Sequence, residues 1–269
     1  MIEFEDVVYV HQSGVRALGG INLKVASGET LAVVGENGAG KTTLVKHVTG
    51  LLKPTEGRVT VDGVDTKETS TARLSRKVGV AFQNPDHQLF SETVSEEMTF
   101  ALRNFGFPPE LVKKRVKWGL ELFGLDEYQD SSPLVLSGGE KKRLTLACIL
   151  AWDPEVVILD EPTVGQDAIQ KEKLYGTIRM LGSAGKTVIV VSHDIEFLWP
   201  IQPRIVVMKA GKIAADGPAR ELMLDGNLLD SARVAQPHLV SFYQDLADRP
   251  SAPFVDALEA RRWVTERKS

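Results

Sequence analysis

The sequence predicts an α/β fold layered on a largely parallel sheet, with a block of helices inserted into it and a short appendage at the C-terminal end. Three observations predict this. Apolar runs such as Val156-Val-Ile-Leu159 and Val188-Ile-Val-Val191 are strand-sized and continuous, as in strands buried on both faces. Such runs alternate with helical stretches, the pattern of parallel strands joined by crossover helices. Between about residues 86 and 150 the alternation stops and only helical patterns remain.

In chain order, strands are predicted over 2–9, 30–34, 58–61 and 78–82, then over 156–159, 187–191, 204–208 and 212–215. Helices are predicted over 42–52, 167–181 and 218–224, and within the inserted block over 93–105, 109–122 and 138–150. Pro109 suits the first position of its helix, where the missing N–H goes unneeded. Beyond about residue 225 regular periodicity is lost and Pro237, Pro250 and Pro253 interrupt the chain. The expected division is therefore a main domain over 1–224, with a helical subdomain over about 86–150, and a small, partly helical appendage over 225–269.

Composition narrows the function. At 43% hydrophobic and 25% charged, the chain is neither disordered nor collagen-like nor a membrane-embedded channel. A net charge of −4 gives no support for a nucleic-acid-binding surface, a local basic patch aside, so no nucleic-acid partner is expected. The lone Cys148 excludes a disulfide framework and a Cys-based zinc site and is read as core packing. His47, His87 and His238 lack metal-ligand spacing, and Lys113-Lys-Arg-Val-Lys117 reads as a solvated helix face. The acidic opening Met-Ile-Glu-Phe-Glu-Asp is not that of a secretory leader. No apolar run approaches the roughly 18–20 residues of a spanning helix, so any work at a membrane borrows its membrane part from a partner.

The chemistry begins where an apolar strand runs into Gly35-Glu-Asn37-Gly38-Ala39-Gly40-Lys41-Thr42-Thr43 and then a helix. Glycines let the backbone wrap phosphate oxygens with successive N–H groups, and the helix N-terminus adds unpaired donors and a favourable dipole. Lys41 is placed to reach the β- and γ-phosphates and Thr42 to ligate Mg²⁺. A second strand, Val156–Leu159, ends in Asp160-Glu161-Pro162. Parallel strands present their C-terminal ends to the ligand crevice. Asp160 is thus positioned for the Mg²⁺ shell, and Glu161 to polarise an attacking water as general base.

Leu136-Ser137-Gly138-Gly139-Glu140, followed by Lys-Lys-Arg and an apolar helix, resembles the signature motif of the ATP-binding cassette (ABC) ATPases. Locally it is a capping box. The resemblance implies that Ser137, Gly138 and Gly139 face the γ-phosphate of ATP held by a second cassette, so that two cassettes, identical or distinct, sandwich two ATP molecules head to tail. It further implies that Gln83 is the Q-loop glutamine sensing Mg²⁺ and the membrane partner, that His193 contacts the γ-phosphate, and that Asp167 is the D-loop aspartate. His11 falls where the family has an adenine-stacking tyrosine, with Tyr9 assigned to the core. Gln166 stands where the family usually has leucine, which changes the contacts expected there.

Within that family, Phe82-Gln-Asn-Pro-Asp-His-Gln-Leu-Phe90 and Asn104-Phe-Gly-Phe-Pro-Pro109 resemble the ATPases of cobalt and energy-coupling-factor (ECF) importers. The segment Pro253-Phe-Val-Asp-Ala-Leu258 faintly resembles their C-terminal piece. The resemblance implies an ATPase that powers uptake of a vitamin or transition-metal ion from the cytoplasmic face of the membrane, with an integral coupling subunit and a substrate-binding membrane subunit as partners. An alternative is the ATPase of another ABC importer or exporter. A ribosome- or DNA-acting ABC protein is disfavoured by the single cassette and the lack of heptads.

Overall fold

The computed structural model describes residues 1–267. The N-terminal half runs β1 (Ile2–Val10), β2 (Arg16–Val25), β3 (Thr30–Val34), α1 (Lys41–Val48), β4 (Glu56–Val61), β5 (Val64–Asp65), α2 (Thr71–Leu74) and β6 (Val78–Ala81). Three helices follow with no strand between them: α3 (Val94–Asn104), α4 (Pro109–Phe123) and α5 (Gly138–Ala151). The alternation resumes with β7 (Val156–Asp160), α6 (Ala168–Ser183), β8 (Thr187–Val191), α7 (Ile195–Leu198), β9 (Arg204–Lys209) and β10 (Lys212–Pro218). Short helices α8 (Ala219–Leu222), α9 (Gly226–Ser231), α10 (His238–Asp245) and α11 (Ala257–Glu266) complete the described chain. Residues 268 and 269 of the expected appendage lie outside the described residues.

The largely parallel sheet has the order β10-β9-β3-β8-β7-β6. Its five strands from β9 to β6 are mutually parallel, and only β10 is antiparallel. A second, antiparallel sheet of order β2-β1-β4-β5 packs beside it. The sequence reading placed no strand at 16–25, so β2 is a correction. Gly19 and Gly20, poor strand formers, mask the buried alternation of Ile21, Leu23 and Val25. A bulge also breaks the register where Asp6 adopts φ 46°. Reciprocal bonds hold that bulge: Asp6 N–H donates to Asn22 Oδ1 at 2.9 Å, and Asn22 Nδ2 donates to Asp6 Oδ1 at 2.7 Å.

The sheet's alternation explains why its strands are apolar throughout. Leu31 and Val33 of β3 join a core shared with the antiparallel sheet and α1, whereas Ala32 and Val34 face the opposite core. Ile189 and Val191 of β8 divide from Val188 and Val190 in the same way. The second core includes the inserted helices and runs on to Leu229, Val234 and Val240. Trp199, buried after α7, donates its indole N–H to the Phe254 carbonyl at 2.8 Å, and the Phe254 ring packs near Phe242 and Trp263.

Local chemistry sets the helix ends. Thr93 caps α3 by accepting from Glu96 N–H, and Gly124 ends α4 at φ 60°. Helix α1 stops at Val48, four residues before the expected end, because Gly50 turns to φ 70° and its N–H bonds the His47 carbonyl.

Candidate nucleotide site

The parallel strands deliver the predicted residues to one edge. Strand β3 leads into the glycine loop, β7 ends at Asp160 beside Glu161, and β8, between β3 and β7, leads to Ser192 and His193. A cleft of about 430 Å³ opens there. From the glycine loop and α1 it is lined by Asn37, Gly38, Gly40, Lys41, Thr42 and Thr43. From the other elements Gln83, Glu161, His193 and His11 face it. Val15, Arg16 and Ala17 also line it. Val15 leads into β2 and Arg16 and Ala17 open it, so none of the three is predicted from sequence without that strand, for which the alternation of Ile21, Leu23 and Val25 is the signal.

Two glycines are needed for their lack of a side chain. A Cβ on Gly35 would stand 2.2 Å from the Met208 carbonyl oxygen, and one on Gly40, at φ 100°, 2.7 Å from that of Ala17. The hairpin of β9 and β10 therefore forms the back wall of the loop, and Gly211 N–H donates to the Ala39 carbonyl. Lys41 is buried, and its ammonium donates to the carbonyls of Gly35 at 2.8 Å and Glu36 at 3.1 Å. Burial lowers its pKa, opposed by the negative charges of Glu161, Asp160 and Glu36.

Thr42 Oγ1 donates to Asp160 Oδ2 at 3.0 Å. Burial raises the Asp160 pKa, the Thr42 hydroxyl opposes the shift, and the Glu161 charge adds to it. A hydroxyl and an incompletely compensated buried carboxylate form a hard oxygen pair, which fits Mg²⁺. Glu161 is buried at φ 49°, its N–H donating to the Val191 carbonyl. Its Oε2 lies 2.8 Å from His193 Nδ1 and 3.4 Å from the donating His193 N–H. The His193 side chain itself is 61% exposed.

Gln88 positions the stretch beginning at Gln83: it accepts from Phe82 N–H and donates to the Val80 carbonyl, both at 2.9 Å. Tyr9 packs partly buried against the core, edge-on to His11 at 4.9 Å and to His47 at 5.0 Å. His11 thus has an aromatic backing at the cleft rim.

Ser137, Gly138, Gly139 and Asp167 do not line the cleft. Ser137 caps α5: its Oγ accepts from Glu140 N–H at 3.3 Å, while Glu140 Oε2 accepts from Ser137 N–H at 2.8 Å. The Ser137 hydroxyl, then its backbone N–H, hold the Glu140 carboxyl below its ordinary pKa. A Cβ on Gly138 or Gly139 would meet nothing within 4 Å, so this end is bare. Asp167 caps α6 by accepting from Gln170 N–H at 2.8 Å.

A glycine loop with a buried lysine, a strand-end carboxylate on the adjoining hydroxyl and a carboxylate–histidine pair defines a nucleoside-triphosphatase. Residues 18–164 match the family described as ABC transporter. The chain is 43% identical over 239 residues to the energy-coupling factor transporter ATP-binding protein EcfA of Methanothermobacter thermautotrophicus, covering 88% of this chain and 77% of the relative. It superposes on cbiO1 of Clostridium perfringens, described as part of the ABC transporter complex cbiONQ, with a TM-score of 0.76, 31% identity and coverage of 90% and 98% of the two chains. A dimeric ATP-binding cassette, MJ0796 bound to ADP and Pi, gives a TM-score of 0.75 at 29% identity, covering 82% of this chain and 99% of the other. Against three other relatives the chain spans 38–42% of the relative's length.

The chain belongs to the ABC transporter family as an ATP-binding subunit, an ATPase whose hydrolysis is coupled to transport. Among the described residues no helix is long and apolar enough to cross a membrane.

Proposed function

We propose that this cassette energises ECF-type import of a micronutrient, a vitamin or transition-metal ion, as one half of a head-to-tail cassette dimer on the cytoplasmic face of the membrane. The observation that carries the dimer reading is the separation of parts. The loop, Lys41, Glu161 and His193 gather at one cleft, with Asp160 bonded to its Thr42, while the Ser137 cap stands bare outside it. A second cassette brings that cap to the γ-phosphate.

In this reading the loop amides and Lys41 bind the phosphates, His11 stacks on adenine, and Glu161 takes the proton of the attacking water. His193 holds Glu161 in place and reaches the γ-phosphate from its exposed position. Thr42, Asp160 and Gln83 would hold Mg²⁺, which supplies charge neutralisation on the phosphate oxygens when bound. Asp167 works across the dimer. The division into a catalytic domain over 1–224, with its helical part over about 86–150, and an appendage over 225–269 is part of the same proposal.

The membrane partner meets the surface after Gln83, where Phe90 and Phe100 are exposed and stacked edge-to-face at 4.8 Å. The EcfA and cbiO1 likenesses support an integral coupling subunit and a substrate-binding membrane subunit there. Purification of the tagged protein from its native membranes in mild detergent, with mass spectrometry of its companions, tests the reading. The expected companions are one coupling subunit and one small substrate-binding membrane protein. Recovery with a periplasmic-type binding protein and paired permeases would replace it with a general ABC importer.

A further inference from the structure

Arg16 is an exposed cation that lines the nucleotide cleft together with Lys41, Thr42 and Thr43. Its side chain makes one hydrogen bond among the described residues, from Nε to the Leu18 carbonyl at 3.4 Å, which is long for a contact of this kind. No carboxylate of the described residues pairs with it.

Its neighbours add positive charge instead of offsetting it. A Cβ built on Gly19 would stand 3.5 Å from Lys212 Cε and 3.6 Å from Arg16 Nε, so both side chains cross the same glycine. Lys212 in turn stands directly opposite Lys209 across the hairpin of β9 and β10. Like charges opposite one another on a sheet destabilise it. Both lysines are exposed, and neither has a carboxylate partner among the described residues. Three cations without a counter-charge, one of them on the wall of an anion site, call for an anion.

The backbone fixes where along the cleft Arg16 acts. His11 N–H donates to the Val15 carbonyl at 2.9 Å, closing a turn in which Gly14 takes φ 84°. Arg16 follows that turn. Ala17 comes next, and its carbonyl oxygen abuts Gly40, the last glycine before α1. Arg16 is thus held between His11 at one end and the phosphate loop at the other. With adenine at His11 and the β- and γ-phosphates at Lys41, the part of the nucleotide between them is the ribose and the α-phosphate. A guanidinium suits the phosphate, whose oxygens match its fork of donors.

We propose that Arg16 binds nucleotide by donating to the α-phosphate of ATP and ADP. The proposal rests on the reading that nucleotide lies in this cleft with its adenine at His11. On binding, the guanidinium gives up its long bond to the Leu18 carbonyl for charge-assisted bonds to phosphate oxygens, and the phosphate offsets the repulsion from Lys212.

The test titrates the full chain with ADP and Mg²⁺ by calorimetry, and with adenosine by competition against labelled ADP. Arg16→Gln removes the charge and should weaken ADP about tenfold. Adenosine, which has no phosphate, should change less than about threefold in the same variant. Arg16→Lys keeps the charge and should restore most of the ADP affinity. The melting temperature without nucleotide should not move in Arg16→Gln, because an exposed side chain with one long bond holds little of the fold. Lys41→Ala, in the same titration, reports on the cleft reading itself. If Lys41→Ala weakens ADP and Arg16→Gln does not, the assignment of Arg16 is overturned alone; if neither does, the cleft reading falls with it. An equal loss for adenosine would overturn the phosphate contact and leave a contact to the nucleoside. An equal loss of ADP in Lys212→Gln would overturn it too, since a diffuse positive field would then explain the effect.

Discussion

Replacing Glu161 by glutamine isolates the proposed base from everything around it. Glutamine has the same shape, and its carbonyl oxygen can keep accepting from the His193 N–H that now donates to Glu161 Oε2 at 3.4 Å. Lys41 makes its bonds to the Gly35 and Glu36 carbonyls, not to Glu161, so the phosphate-binding groups stay in place. What is lost is a carboxylate able to take a proton. Loss of a positioned general base lowers kcat by about 10²–10⁴-fold, or about 3–5 kcal/mol of transition-state stabilisation. Nucleotide affinity should stay within about threefold, since a group acting only in the transition state leaves ground-state binding alone. Phosphate release at saturating ATP and Mg²⁺ measures the first quantity, and equilibrium binding of a fluorescent ATP analogue the second. A variant with kcat within about threefold of the parent would refute the assignment. A parallel loss of affinity and kcat would refute it differently, showing that the carboxylate shapes the cleft instead of reacting.

Gly35→Ala drives a Cβ to 2.2 Å from the Met208 carbonyl oxygen and should cost about 2–4 kcal/mol in chemical denaturation, with nucleotide binding lost as the loop shifts. Asp194 is opposed by burial but held below its ordinary pKa of 3.8 by Lys171, 2.5 Å away, and by Phe197 N–H. Its stabilisation is therefore complete above about pH 4 and fades as pH falls through the depressed native value, so Asp194→Asn should flatten the acid limb of melting temperature against pH. Trp199→Phe leaves the Phe254 carbonyl without its donor and should cost about 1–3 kcal/mol; hydrogen exchange should then quicken in α10 and α11 while β3 and β8 stay protected. If the Ser137 cap must come from a second cassette, specific ATPase activity should rise with protein concentration; a value constant on dilution to nanomolar protein would remove the dimer requirement.

The parallel sheet and its edge were legible because a strand buried on both faces leaves a plain apolar run. The residues of the glycine loop, Asp160, Glu161 and His193 were legible because each follows such a run directly. Strand β2 was not, because its pairing depends on a bulge at Asp6 and on glycines that only the partner strand rationalises. The cleft walls at Val15–Ala17 were lost with it. The ties of the final segment were equally invisible. Arg233 reaches Glu36 in the phosphate loop at 3.1 Å, and His238 reaches Glu196 in α7 at 2.8 Å, although each pair is distant in sequence. The sequence locates such charges and says nothing of their partners. The same holds for the cations around Gly19, which meet only once the hairpin of β9 and β10 lies beside β2.

Apart from Arg16, the charges assigned to the nucleotide site already have partners from the chain itself. Lys41 rests on two carbonyls, Asp160 on Thr42, and Glu161 on His193. A buried charge without a partner is costly, so these pairings let the cleft fold without its ligand. They also set the terms on which ATP binds. In the proposed mechanism, the ammonium exchanges these carbonyl oxygens for phosphate oxygens, which carry more charge and hold it better. If Thr42 holds Mg²⁺ as proposed, it turns its hydroxyl proton from Asp160 to offer a lone pair. Of the third pair, His193 is mostly exposed and Glu161 is buried at the strand end. In the proposed mechanism, the buried carboxylate is then a base that the chain itself holds in position, and the exposed imidazole is the contact for the γ-phosphate.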